Sequence, residues 1–305
     1  MSLEEKVIRQ ALTRIIENCA ANHPANRSED GSAYFGMPLV GFAAADNELF
    51  KRYKDIIGPF HWTPDEVLEA AYGPGAPRAA TVICWILPII EETRLSNRTQ
   101  DQYPSRKWAH TRNYGEQFND VVRQAVVNFL VEMGSRAAGP MLLNQWSRVD
   151  DPRTGWASTW SERHAAYAAG LGTFSLNDGF ITPVGIAHRV GSVVTDIAVE
   201  PSAQPFADYR QNCLTCSGME CGACMARCPV GAISPEGHDK ALCNEYTYGP
   251  AFKDLSRKYD ARHVGCGLCQ TGVPCESQIP STSASARRPA STDKDSRFQK
   301  NTDES

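Results

Sequence analysis

Nine of the eleven cysteines lie between Cys213 and Cys275, within 63 residues. Inside that stretch, Cys221-Gly-Ala-Cys224-Met-Ala-Arg-Cys228-Pro229 makes a C-x2-C-x3-C-P run. Runs of this kind hold iron–sulfur clusters, because iron in them is bound by soft, anionic sulfur. A simple ferredoxin run would carry one more cysteine three residues before Cys221, but that position is Gly218. The missing ligand has two upstream candidates, Cys216 (a C-x4-C opening) and Cys213 (a C-x7-C opening).

Downstream come Cys243, Cys266-Gly-Leu-Cys269 and Cys275. In chains with two clusters, the last cysteine of the run ligates the other cluster. The spacing therefore predicts two [4Fe–4S] clusters. The first takes Cys213 or Cys216 with Cys221, Cys224 and Cys275. The second takes Cys228, Cys243, Cys266 and Cys269. One cysteine of the nine is left over. Glycines at 222, 265 and 267 let backbone come close to the inorganic sulfides. The competing reading is a pair of zinc sites. Zinc ribbons pair two short knuckles, whereas this extended run is completed from far along the chain. Cys19 and Cys84 stand on apolar faces and read as small core residues.

The other 200 residues before the cysteines read as a mixed α/β (α+β) domain. A helix is predicted over 3–22, with apolar residues every fourth position from Leu3 and a second row at Ile8, Leu12 and Ile16. Thr63-Pro64-Asp65-Glu66 is a capping box with proline at the first helical position. Thr81–Ile90 is a buried strand, 116–133 a helix stopped by Gly134, 161–169 a helix, and 190–199 a second buried strand. Residues 201–205 read as a linker. The division expected is 1–204 for the first domain, 205–280 for the cluster module, and 281–305 for a disordered tail rich in Ser, Thr and charge. Net charge is −4 over 305 residues, with no basic concentration to suggest a polyanion binder. The start lacks a secretory signal, and Pro88 interrupts the longest apolar run, so a soluble, cytoplasmic protein is expected.

Glu162-Arg163, Gly170-Leu-Gly172, Asn177, Ile181, Pro183, Gly185, Gly191 and Thr195-Asp196 follow one another in a recognisable order. This pattern resembles the cobalamin-dependent epoxyqueuosine reductases, and the reductive dehalogenases are similar. The resemblance spans about 161–275. It implies a nitroreductase-like, cobalamin-binding catalytic domain followed by a two-cluster ferredoxin-like domain. Electrons would pass from the clusters to base-off cobalamin and on to a small molecule or a tRNA nucleoside. An external donor such as a ferredoxin or flavodoxin would refill the clusters. Gly170, Gly172, Asn177, Gly185, Gly191 and Ser192 would approach the corrin, and His188 or Asp151 would give the proton. The branch most resembled has the long C-x7-C opening, which favours Cys213 over Cys216.

The chain also departs from that pattern. Trp156 stands where the family carries its acid, with Asp150 and Asp151 nearby. Leu176 replaces a lysine, and no proline follows Cys275. These changes point to a sister group with its own substrate. Two alternatives are an electron-transfer protein that reduces a partner and binds no cobalamin, and a first domain that holds flavin. His61-Trp62, Trp108, His110 and Tyr114 are candidates for lining a pocket, with core packing the plainer reading; Tyr167 reads as packing. Arg27, Arg94, Arg98, Arg106 and Arg112 are candidate anion contacts, with solvated surface as the plainer reading.

Overall fold

A computed structural model describes residues 2–22 and 32–281. Arg27 and the tail from 282 lie outside the described residues.

In chain order the first domain runs α1 (Leu3–Asn18), β1 (Leu39–Ala44), α2 (Glu48–Ile56), α3 (Pro64–Tyr72), β2 (Thr81–Pro88), α4 (Glu91–Arg98) and α5 (Arg106–Glu132). It continues through β3 (Ala137–Ala138), the hairpin β4 (Arg148–Asp151) and β5 (Gly155–Ser158), then α6 (Glu162–Ala168), the short pair β6 (Thr173–Phe174) and β7 (Phe180–Ile181), and β8 (His188–Thr195). The cysteine region adds α7 (Ala223–Ala226), β9 (Ile233–Ser234), β10 (Gly237–His238), α8 (Lys240–Tyr248) and α9 (Pro250–Tyr259).

The main sheet has the order β1-β2-β8-β3, and every pairing is antiparallel. The fold is therefore α+β in its connectivity. Strand side chains alternate between faces, and here both faces are covered. Ile83, Trp85 and Leu87 of β2 join α1 and α5 in one core, while Val82, Cys84 and Ile86 join α2, α3 and α6 in the other. Double coverage explains why β2 reads as an unbroken apolar run. Across the sheet Trp85 pairs with Gly191. A Cβ on Gly191 would stand 2.4 Å from the indole, so the strand needs glycine there to seat the ring.

The capping box of α3 forms as the sequence predicts, with both reciprocal bonds present. Helix α1 buries its second apolar row, Ile8, Leu12 and Ile16, and leaves Leu3 exposed. Helix α5 starts ten residues before the predicted 116. Its first turns bury Trp108, Ala109, His110, Thr111, Asn113 and Gly115, a mixed set with no apolar stripe. The cysteine region covers them. His110 Nε2 lies 2.6 Å from the Tyr259 carbonyl, Asn113 Oδ1 accepts from the His263 amide at 3.1 Å, and Gly267 packs on the Trp108 indole.

Residues 201–206 hold no regular element, yet the two parts pack as one body. Glu276, almost wholly buried, ties them together. It accepts two bonds at 2.8 Å from Arg98 and lies 3.2 Å from Arg94 Nε, both on α4. It also accepts from the Gly272 amide at 2.7 Å. Arg227 answers from the other side, donating to the carbonyls of Asn97 and Gln100. Removing one partner of a buried, charge-assisted set leaves the rest unsatisfied. Glu276→Gln is expected to lower unfolding stability by about 2 kcal/mol, moderated by the partial exposure of Arg98. Urea denaturation followed by tryptophan fluorescence measures it; an unchanged midpoint would show that the clamp is dispensable.

Candidate iron–sulfur centres

The nine cysteines fall into two neighbourhoods. Cys213, Cys221, Cys224 and Cys275 line a cavity of ≈ 350 Å³ that opens to solvent. Its remaining wall comes from Ser175, Asn177 and Ile181 of the first domain, and from Val273, Pro274 and Pro280. Cys266, Cys269, Cys228 and Cys243 form the second neighbourhood, as their mutual electrostatic influence records. Cys216 stands outside the cavity wall, with the Cys213 sulfur as its hydrogen-bonding neighbour.

Local backbone brings each neighbourhood about. The loop after Cys213 coils on itself, with Ser217 N–H donating to the Cys213 carbonyl and Met219 N–H to Leu214. Gly218 takes a left-handed φ of +77° there, so the position where a simpler ferredoxin has a cysteine is a turn. After Cys228 the chain turns away, and Ala232 N–H donates to the Cys228 sulfur at 3.2 Å. Gly265 and Gly267 also have positive φ and carry Cys266 and Cys269 over α5.

Burial raises Cys224, Cys266, Cys269 and Cys275, whereas the hydrogen bond from His238 lowers Cys243. Burial pushes Cys224 up to about 12, and the neighbouring Cys213 and Cys221 add to the shift. Burial raises Cys266 to about 11, and Cys269 and Cys275 also lie well above the ordinary range. Thiols in this state ionise only when positive charge arrives among them, which is what metal binding supplies. Among the described residues no three His, Cys, Asp or Glu side chains converge at single-ion distance. Cys213, Cys221, Cys224 and Cys275 are spread around the cavity wall. An apolar wall of Leu176, Ile181, Ile186, Ile233 and Val273 packs against both rings.

His238 lies beside Cys243 and reaches Asp178 Oδ2 through Nδ1 at 3.2 Å. Its bonds to Asp178 and then Cys243 raise it to about 9. Asp178 holds a left-handed φ of +56° in the β6–β7 turn of the first domain.

The six residues that the resemblance places at a corrin serve the chain itself. Asn177 borders the first ring, donates to the Cys269 carbonyl at 3.0 Å, and so spans both neighbourhoods. Gly185 meets the backbone of Glu276 and Ser277 beside Cys275, and Gly170 meets the Ala203 carbonyl. Gly172 faces the Ile181 carbonyl and Gly191 faces Trp85. Ser192 is fully buried, donating to Glu162 and accepting from Trp160 Nε1 at 3.0 Å. Each of these contacts is made within the chain.

The two proton-donor candidates stand far apart in chemistry. Asp151 caps its own hairpin turn, accepting from the amides of Arg153 and Thr154. Those bonds hold its carboxyl below the usual range, so it is ionised at neutral pH. His188 is buried, with Nε2 2.7 Å from the Phe180 carbonyl and no partner at Nδ1. Burial lowers it to about 4. His61 stacks on Trp160 in the core, and Trp108 and His110 lie under the cysteine region. Of the candidate anion contacts, Arg94 and Arg98 are spent on Glu276, while the Arg112 side chain lies against Gly265 of the cysteine region.

No family model and no curated protein matches the sequence. Solved structures do. The variant of a catabolic reductive dehalogenase is 13% identical, with TM-score 0.51, over 91% of this chain and 37% of that one. An epoxyqueuosine reductase from Streptococcus thermophilus is 16% identical, with TM-score 0.44, over 90% of this chain and 66% of that one. Another epoxyqueuosine reductase, solved with a tRNA-Tyr stem loop, is 19% identical, with TM-score 0.44, over 88% and 66%. The chain thus has the fold of a reductive dehalogenase over nine-tenths of its length, and spans about two-thirds or less of each of these proteins.

Two predictions follow from the geometry. Cys213→Ala removes a wall of the first ring and is expected to lower bound iron by about half; Cys216→Ala should keep it. Iron assay after anaerobic reconstitution decides, and the reverse pattern would exchange the two assignments. The second concerns His61, His164 and His188, lowered by burial to about 4, 3 and 4. Their folded values lie below the unfolded value, so their stabilising share is full above pH 6.5 and declines as pH falls toward 4. Each contributes up to about 1.4 kcal/mol per pH unit in that window. His61→Gln should flatten the fall in denaturation midpoint between pH 6.5 and 4.5.

Proposed function

We propose that this chain is an iron–sulfur oxidoreductase, a reductase of the epoxyqueuosine reductase and reductive dehalogenase type. The observation that carries this reading is the pair of cysteine rings built directly onto the first domain. Cys213, Cys221, Cys224 and Cys275 would hold one [4Fe–4S] cluster, and Cys228, Cys243, Cys266 and Cys269 the other. Each cluster, when bound, supplies one-electron transfer.

The chain's own residues divide the remaining work. Cys221 is the exposed ligand, so the first ring is the natural entry for electrons from an external donor. Asn177 touches both rings and keeps them in fixed relation. The second ring lies against α5 and the β6–β7 turn, and so would deliver electrons toward the first domain. The apolar residues Leu176, Ile181, Ile186, Ile233 and Val273 would lower the dielectric on the buried side of the clusters.

The resemblance and the shared fold favour cobalamin as the acceptor in the first domain, where it would supply reductive chemistry that side chains cannot. Gly170, Gly172, Asn177, Gly185, Gly191 and Ser192 are the residues that the resemblance would place beside it. The substrate would be a small molecule or a nucleoside. Among the described residues no helix is long and apolar enough to cross a membrane.

Anaerobic reconstitution is expected to give a brown protein with about eight irons per chain. Titration with cobalamin should then yield the visible spectrum of a protein-bound, base-off cob(II)alamin on partial reduction. A colourless protein with stoichiometric zinc would overturn the cluster assignment. Full iron with no cobalamin uptake would make the chain an electron carrier.

A further inference from the structure

One arginine stands where the chain passes from one cysteine ring to the other. Arg227 lies between Cys224 of the first ring and Cys228 of the second. Its side chain reaches the return passage, from the loop of Cys266 and Cys269 toward Cys275. Nε donates to the carbonyls of Leu268 at 3.3 Å and Thr271 at 3.0 Å. Nη1 donates to the Gln100 carbonyl at 2.8 Å and Nη2 to the Asn97 carbonyl at 3.2 Å, both at the C-terminal end of α4. The half-buried guanidinium is therefore fixed by four acceptors drawn from two passages of the chain.

Each of those bonds ends on a backbone carbonyl, and among the described residues no carboxylate pairs with Arg227. An acid does stand on the same loop: Glu276 accepts from the Gly272 amide at 2.7 Å, and a Cβ on Gly272 would lie 3.4 Å from Arg227 Nε. That acid is taken by Arg94 and Arg98. Carbonyls at a helix end favour a cation but do not cancel its charge. Arg123 shows the other treatment in the same chain, with Glu116, Asp120 and Glu162 around it. Docking of the cysteine region on α4 accounts for the bonds to Asn97 and Gln100. It does not account for a fixed charge left without an acid beside the rings, where Cys266 feels it.

The clusters would give that charge its counterpart. A [4Fe–4S] cluster held by four thiolates is an anion, and reduction adds one electron to it; its potential follows net charge and surroundings. A fixed cation stabilises the more negative, reduced form over the oxidised one, and does so more strongly where the dielectric is low.

We propose that Arg227 is the fixed countercharge of the second cluster and raises its reduction potential. The inference rests on the reading of the chain as a two-cluster reductase and gives that reading a direction. One electron leaves the reduced first cluster, beside the exposed Cys221, and enters the oxidised second cluster, held at the higher potential.

The test is a redox titration of the anaerobically reconstituted protein, followed by the electron paramagnetic resonance of the reduced clusters, with iron measured on the same samples. Arg227→Gln, which removes the charge, is expected to shift the reduction equilibrium of one cluster at least tenfold toward the oxidised form, about 59 mV for one electron. Arg227→Lys, which keeps the charge and loses part of the bonding, should stay near the wild-type potential. Lys51→Gln, which makes the same change of net charge on a remote surface, should leave both potentials unmoved. Loss of iron from Arg227→Gln alone also supports the proposal, because charge is then needed to hold the cluster. Wild-type potentials in Arg227→Gln overturn it. So does an equal shift, or an equal loss of iron, in Arg227→Gln and Arg227→Lys, since the bonds and not the charge would then matter. Failure of the two-cluster reading registers separately, as a wild-type protein without two reducible clusters.

Discussion

Thiols gathered around a common cavity repel one another once ionised, and burial raises the cost of charging each. The cysteine region therefore cannot be organised by its own short elements alone. Its helices α7, α8 and α9 are 4, 9 and 10 residues long, and its hairpin pairs two residues with two. What holds the rings open and in register is the first domain behind them. Glu276 is clamped by Arg94 and Arg98, Asn177 reaches the Cys269 backbone, and Gly267 lies on Trp108. The cysteine region is thus a covering layer whose shape is completed by α4, α5 and the β6–β7 turn.

This dependence accounts for the glycines of the segment 170–191. Their pattern resembles one associated with a bound macrocycle, but in this chain the close approaches are internal. Gly185 admits the backbone after Cys275, Gly170 admits the chain leading to the cysteines, and Gly191 admits Trp85. A glycine pattern reports that something comes near the backbone; what comes near is settled by the fold. The same holds for Leu176, which occupies the place of a family lysine and here joins the apolar wall of the rings.

Much of the fold was legible along the chain. The capping box at Thr63, the apolar row of β2 and the left-handed stop at Gly134 depend on neighbours within a few residues, and all three read correctly. Strand β1, with its Leu-Val-Gly-Phe-Ala-Ala sequence, went unread, as did α2, α8 and α9. The first turns of α5 escaped for a related reason. Their buried side is Trp108, His110, Thr111 and Asn113, of which His110 and Asn113 bond partners some 150 residues away, and no local periodicity marks such a face.

For the candidate site the division is equally physical. The spacing of the cysteines by itself leads to the expectation of two groups with a crossing at Cys228, because a C-x2-C-x3-C-P run has few ways to turn. It left Cys213 and Cys216 undecided, since both sit on one tight loop; only the tertiary structure put Cys213 on the cavity wall and Cys216 behind it. Likewise, single arginines carry no sign in the sequence of whether they are paired. Arg94 and Arg98 find Glu276, Arg123 finds three carboxylates, and Arg189 comes within 3.7 Å of Glu116. Charge balance in a recess is a sum over distant segments, and the fold alone performs that sum.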